Sequence, residues 1–138
     1  MTKRTTQVSP EMASQFDAAL EQVIRELPDE LLKRLREVPV VADDYPPETL
    51  MARLGISSPE LLRGLHTGVP LTRRSVQHSG ILPTTITVYR LGICAAAVDQ
   101  TGQLRQSVLH REIRKTVLHE FGHYFGLSED EIRNYGFA

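Results

Sequence analysis

Leu118-His119-Glu120-Phe121-Gly122-His123-Tyr124-Phe125-Gly126-Leu127-Ser128-Glu129 is the stretch with the residue types and spacing to do chemistry. Its His-Glu-x-x-His core sets two imidazoles one helical turn apart, with a carboxylate between them in sequence. That arrangement suits a catalytic zinc. Residues four apart on a helix have Cβ atoms about 5–6 Å apart, so His119 and His123 can both reach one ion at about 2.0–2.1 Å. Glu120 lies roughly 100° round the helix from His119, outside the ligand pair but beside it, where it can take a proton from an activated water.

A third ligand is expected shortly after a turn. Gly126 suits a left-handed residue that ends the helix and sends the chain back toward the histidines. Ten residues after His119 comes Glu129, followed by Asp130. The same residues have a second account: Ser128-Glu129-Asp130-Glu131 is a capping box, in which Ser128 caps the N3 amide and Glu131 reaches back. Glu129 is the preferred third ligand, and Asp130 or a water remains an alternative, because a catalytic zinc usually takes three protein ligands and keeps one position open.

The element that must position this group is a long helix expected over residues 103–125. Ile113, Val117, Leu118, Phe121, Tyr124 and Phe125 fall on an arc of roughly 140° at helical spacing, and His119 and His123 fall outside it. His110, nine positions before His119, falls on the opposite side and is not a ligand. Gly122 costs about 1 kcal/mol relative to alanine inside a helix, which suggests another backbone passing close to the histidine face. By accident, His-Glu-x-x-His arises in on the order of a few chains per thousand of this length. The competing bland reading is a pair of exposed histidines that bind nothing.

Upstream, Ser9-Pro10-Glu11 gives a cap, a proline in the first turn and an acid for an amphipathic helix over 10–27. Residues 1–8 read as a frayed tail. Asp29 can cap a short helix carrying Leu31, Leu32 and Leu35. Val38 to Asp43 reads as a strand, and Pro47 can open a helix that runs to Leu54. Ser58-Pro59-Glu60 looks like another helix start, and Gly64, Gly68 and Pro70 break the segment beyond it. Thr84 to Arg90 is the strongest strand, Ile93 to Val98 can pair with it as a hairpin across Leu91-Gly92, and this piece is expected along a substrate cleft, with a core strand that touches no ligand as the alternative. His66 and His78, flanked by glycines, read by default as surface histidines, with a place near the site as the alternative.

The 138 residues suit one domain, and 41% hydrophobic with 24% charged residues is ordinary for a globular protein. A net charge of −1 and a pI near 6.5 leave no footprint for nucleic acid or membrane, and Arg73-Arg74 reads as a solvated pair. The single cysteine, Cys94, cannot pair internally. Together with the lack of an apolar leader or an 18-residue apolar run, this predicts a cytoplasmic protein of undefined oligomeric state.

The chain, above all His119 to Ile132, resembles the minimal zincin-like metallopeptidases of bacteria, small proteins similar to matrix-metalloprotease cores. The match extends to Phe16, Leu27-Pro28, Val38 to Pro46, Gly68-Val69-Pro70-Leu71-Thr72, Gly80-Ile81-Leu82-Pro83 and Thr116-Val117-Leu118. Such proteins usually carry Asp where this chain has Glu129. The resemblance implies an α+β zincin fold, a small mixed sheet packed on an N-terminal helix and a long active-site helix, with one zinc ion. No methionine comes after the motif to form a methionine turn, and twelve residues lie beyond Gly126, so a shallow cleft with little side-chain selectivity is expected.

The expected activity is hydrolysis of a peptide or protein by a zinc-activated water, with His119, His123 and Glu129 on the metal and Glu120 as general base. Tyr135, Tyr124, Tyr89 and Arg90 are the candidates for stabilising the oxyanion. Two rivals stand against it: an inactive zinc-bearing structural or adaptor domain, and a deformylase-like hydrolase with Cys94 on the metal. The second needs a glycine-cysteine-leucine context that Gly92-Ile93-Cys94-Ala95 does not supply.

Overall fold

The computed structural model describes residues 7–67 and 85–134. Helix α1, Pro10–Arg25, starts where Ser9 Oγ accepts the Met12 N–H at 3.1 Å and Pro10 occupies the first turn. Its stripe of Phe16, Ala19, Leu20 and Val23 is buried, and it ends at Arg25, two residues before the expected Leu27, with Glu26 as its C-cap. Helix α2, Asp29–Leu35, has Pro28 at its cap; Asp29 lies inside the first turn and makes no capping bond, so its contribution is a negative charge at the helix N-terminus. Strand β1, Val40–Asp43, and helix α3, Glu48–Leu54, come next, close to their expected places.

Ser58-Pro59-Glu60 does open a helix, but only a 3₁₀ turn, Pro59–Leu61. After it comes strand β2, Gly64–Thr67, in a segment read as broken by Gly64. The glycine belongs there for steric reasons. A Cβ on Gly64 would lie 2.6 Å from Thr116 Cγ2 and 3.3 Å from Glu120 Cγ, so its absence lets β2 press against the histidine-bearing helix.

Strand β3, Thr85–Tyr89, pairs parallel with β1 and antiparallel with β2, in the order β1-β3-β2. It is therefore the central strand, and residues on both of its faces are buried, Ile86 and Val88 on one and Thr87 and Tyr89 on the other. The expectation that β3 borders the cleft is corrected: both of its edges are occupied, and among the described residues the edge strand beside the site is β2.

Residues 93–98 do not form a hairpin strand. Arg90–Ala97 is helix α4. Gly92 is not a turn glycine but a close-approach glycine, since a Cβ there would meet the Leu62 carbonyl oxygen at 2.5 Å. Leu91, Gly92, Ile93, Cys94 and Ala97 are all buried, so α4 is wrapped by protein on most of its surface and shows no polar stripe to mark its period. The loop after it is tied by Asp99, whose carboxylate accepts bonds from Thr101 Oγ1 and from the Thr101 and Gln103 amides. These bonds, the Thr101 hydroxyl first, hold the Asp99 carboxyl below the usual carboxylate range.

Helix α5, Gln106–Phe125, is the hub of the fold and contacts α1, α4, β2 and β3. Leu109, Ile113, Val117, Leu118, Phe121 and Tyr124 are buried along it, joining Phe16, Val23, Ile86, Val88 and Ile93 in one core. Each fully buried aliphatic side chain contributes about 1.5–3 kcal/mol, so this inner face rather than helix propensity holds α5 in place. Helix α6, Glu129–Arg133, closes the described chain and packs on the end of α5. The result is an α+β architecture of six α-helices and a three-stranded mixed sheet among the described residues. None of these helices is long and apolar enough to cross a membrane.

A testable consequence of the β2–α5 contact concerns Gly64. Gly64→Ala puts a methyl against the stiff β-branched Thr116, and overpacking of this kind costs about 1–3 kcal/mol. The expected result is a lower urea midpoint at unchanged m-value; an unshifted midpoint would mean β2 and α5 have slack between them.

Candidate metal centre

The site is assembled at the end of α5. Gly126 takes φ 71°, the left-handed conformation that stops the helix, and Leu127 N–H closes the turn on the Gly122 carbonyl at 2.8 Å. Ser128 then starts α6 with both arms of a capping box, Ser128 Oγ accepting the Glu131 amide at 3.1 Å and Glu131 Oε1 accepting the Ser128 amide at 3.2 Å. Capping uses Ser128 and Glu131. It leaves Glu129 free to point back at the histidines.

Glu129 Oε1 lies 3.6 Å from His119 Nδ1 and 3.9 Å from His123 Nε2. One donor atom from each of His119, His123 and Glu129 lies within 4.8 Å of the others. Ligands at about 2.0–2.1 Å round a tetrahedral ion sit about 3.4 Å apart, so small side-chain rotations bring this set to zinc-binding distances. Two imidazoles and a carboxylate are also the donor chemistry of a catalytic zinc, so the residues fit the ion. Asp130, the alternative, faces Arg133 at 3.7 Å and stands outside this group. The side chains of His119, His123 and Glu129 are 28%, 50% and 56% exposed, which leaves the would-be ion open to solvent.

The spacing of α5 also settles Gly122. What passes close is not a backbone but the side chain of Ile132 from α6, whose Cγ1 would meet a Cβ at 2.6 Å. Ile132 is buried there, and this contact docks α6, and with it Glu129, onto α5.

Glu120 is half-buried beside the pair, and its partner is His66 of β2. The His66 amide donates to Glu120 Oε1 at 3.1 Å, and His66 Nδ1 lies 3.3 Å from the same oxygen. The His66 ring stands edge-on to His123 with centroids 6.5 Å apart, little farther than the 6.0 Å between His119 and His123. The reading of His66 as a surface histidine is thus corrected. A four-residue strand carries too little alternation to be recognised, and nothing local in the sequence links positions 54 residues apart.

The remaining sequence candidates fall elsewhere. Tyr124 is buried in the core. Tyr89 faces the other side of the sheet, in a hollow of about 300 Å³ shared with Leu50, Arg53, Leu65 and Thr67, where burial and then the Asp43 charge push its phenol up. The Arg90 guanidinium is engaged by Asp17 at 2.9 Å and Asp44 at 3.0 Å. His110 is paired with Glu26 at 3.2 Å. Cys94 is fully buried in the core, where desolvation pushes its thiol up to about 12, and it stands outside the group formed by His119, His123 and Glu129. Tyr135, His78, Arg73-Arg74, Gly68 to Thr72 and Gly80 to Pro83 lie outside the described residues.

A helix-borne pair of histidines with an adjoining carboxylate, beneath the edge of a small mixed sheet, is the layout of a zincin. The sequence pattern of the zincin-like metallopeptidase family matches residues 35–137, and the chain belongs to that family. No curated protein matches the chain. Family membership implies a zinc cofactor, for which the His119, His123 and Glu129 group is the candidate site.

Proposed function

We propose that this chain is a zinc-dependent peptidase in which His119, His123 and Glu129 hold the ion and Glu120 is the general base. The observation that carries the reading is the convergence of those three donors at an exposed spot, with a carboxylate alongside that no ion pair to lysine or arginine ties up among the described residues. Zinc at such a site draws the pKa of a water toward about 7 and polarises a carbonyl oxygen. Glu120 takes the proton of the attacking water on a carboxylate oxygen and returns it to the leaving amine nitrogen. Strand β2 lies beside Glu120 and is the piece of sheet along which an extended peptide is proposed to align.

The adaptor reading needs a closed coordination sphere, and side chains 28–56% exposed argue for an open one. The test is zinc content of the purified protein together with cleavage of a mixed quenched-fluorescent peptide set. One zinc per chain with chelator-sensitive cleavage, restored by adding zinc, is expected. Stoichiometric zinc with no cleavage across the set would favour the adaptor.

A further inference from the structure

We propose that His66 is a positioning residue for Glu120: its imidazole and its own backbone amide clamp one carboxylate oxygen, Oε1, so that the other oxygen is turned to the reacting water. The inference rests on the zinc-peptidase reading of the site. A glutamate on an open helix face has three rotatable bonds, and ordering such a side chain is entropically unfavourable. A general base works only when held within hydrogen-bond reach of the proton it takes. Among the described residues, Glu120 receives hydrogen bonds from His66 alone, and both arrive at the same atom.

The fold explains how a residue 54 positions away does this. His66 sits within the β2–β3 ladder, opposite Ile86, yet its N–H is directed at Glu120, and Gly64 two residues earlier brings the strand within contact of the Glu120 methylene. The imidazole then stands between β2 and His123, with the side chains of His66 and Glu120 only 20% and 17% exposed. A bond to a carboxylate shielded to this degree is stronger than its exposed counterpart. Donation from Nδ1 fixes the ring tautomer with the proton on that nitrogen.

The amide survives any substitution but proline, so the imidazole is the part that can be tested. His66→Phe keeps a ring and removes the donor. His66→Asn sets an amide N–H₂ near the place of Nδ1. The probe is acetohydroxamate bound to the cobalt(II)-loaded protein and followed by the visible spectrum, because a hydroxamate chelates the ion and gives its acidic proton to the neighbouring carboxylate. Removing the donor in His66→Phe is expected to weaken acetohydroxamate about five- to tenfold. Metal stoichiometry and Tm should stay at wild-type values, and His66→Asn should return the affinity to within about twofold.

In a Glu120→Gln background, His66→Phe should add nothing, since the two residues act through one carboxylate. On any peptide the protein cleaves, the loss should appear in kcat with KM unchanged. Unaltered hydroxamate binding in His66→Phe, or an equal loss in the Glu120→Gln background, overturns the proposal while leaving the zinc site standing. Loss of metal in both His66→Phe and His66→Asn overturns it in favour of His66 as a ligand. A wild-type protein that takes up neither cobalt nor zinc removes the reading beneath it.

Discussion

His123→Ala is expected to leave the purified protein without zinc. The imidazole sits one turn from His119 and 3.9 Å from the Glu129 oxygen, so its removal takes away one of three donors and opens a gap that the other two cannot close. Even outer partners of a ligand are worth about 10–100-fold in metal affinity, and loss of a donor itself should exceed that, at least about 100-fold. Metal analysis after dialysis reads it directly. Zinc added to the wild type at 100 times its Kd stabilises by about 2.7 kcal/mol and raises Tm, a rise that His123→Ala should lack. Full zinc occupancy in the variant would place the ion somewhere else in the molecule.

Glu120→Gln separates the chemistry from the metal. The glutamine keeps the shape of the side chain and an oxygen to accept the His66 amide, so the site should remain assembled. It has an amide nitrogen in place of the second carboxylate oxygen and cannot take up the proton, and losing general acid–base catalysis lowers a rate by about 10²–10⁴-fold. The expected result is wild-type zinc content with peptide cleavage reduced by that factor. Retained cleavage would assign the base to another group; loss of zinc would show that Glu120 helps to hold the ion.

How much of this could be read from the chain alone depended on how local the signal was. Helix α5, its stop at Gly126 and the capping box after it are written in consecutive residues, and the structure reproduces all three. The capping and ligand accounts of residues 128–131 proved compatible, because capping engages Ser128 and Glu131 and leaves Glu129 at the helix start. Helix α4 was illegible for the opposite reason. Its eight residues are buried on most sides, so periodicity vanished, and Gly92 looked like a turn although it serves a close approach. Strand β2 was too short to show alternation, and its glycine looked like a breaker. With it went His66, whose place beside Glu120 arises only when β2 folds over α5.

Ile132 resting in the notch left by Gly122 has a bearing on the order of assembly. Only five residues separate His123 from Glu129, and a hydrophobic plug and a capping box already hold α6 where it belongs. Bringing the carboxylate home therefore asks little of loop entropy and needs no cation to do it. Unlike a zinc finger, whose chain collapses round its metal, the proposed site would have its helices in place before an ion arrives, with only side-chain rotations left to make.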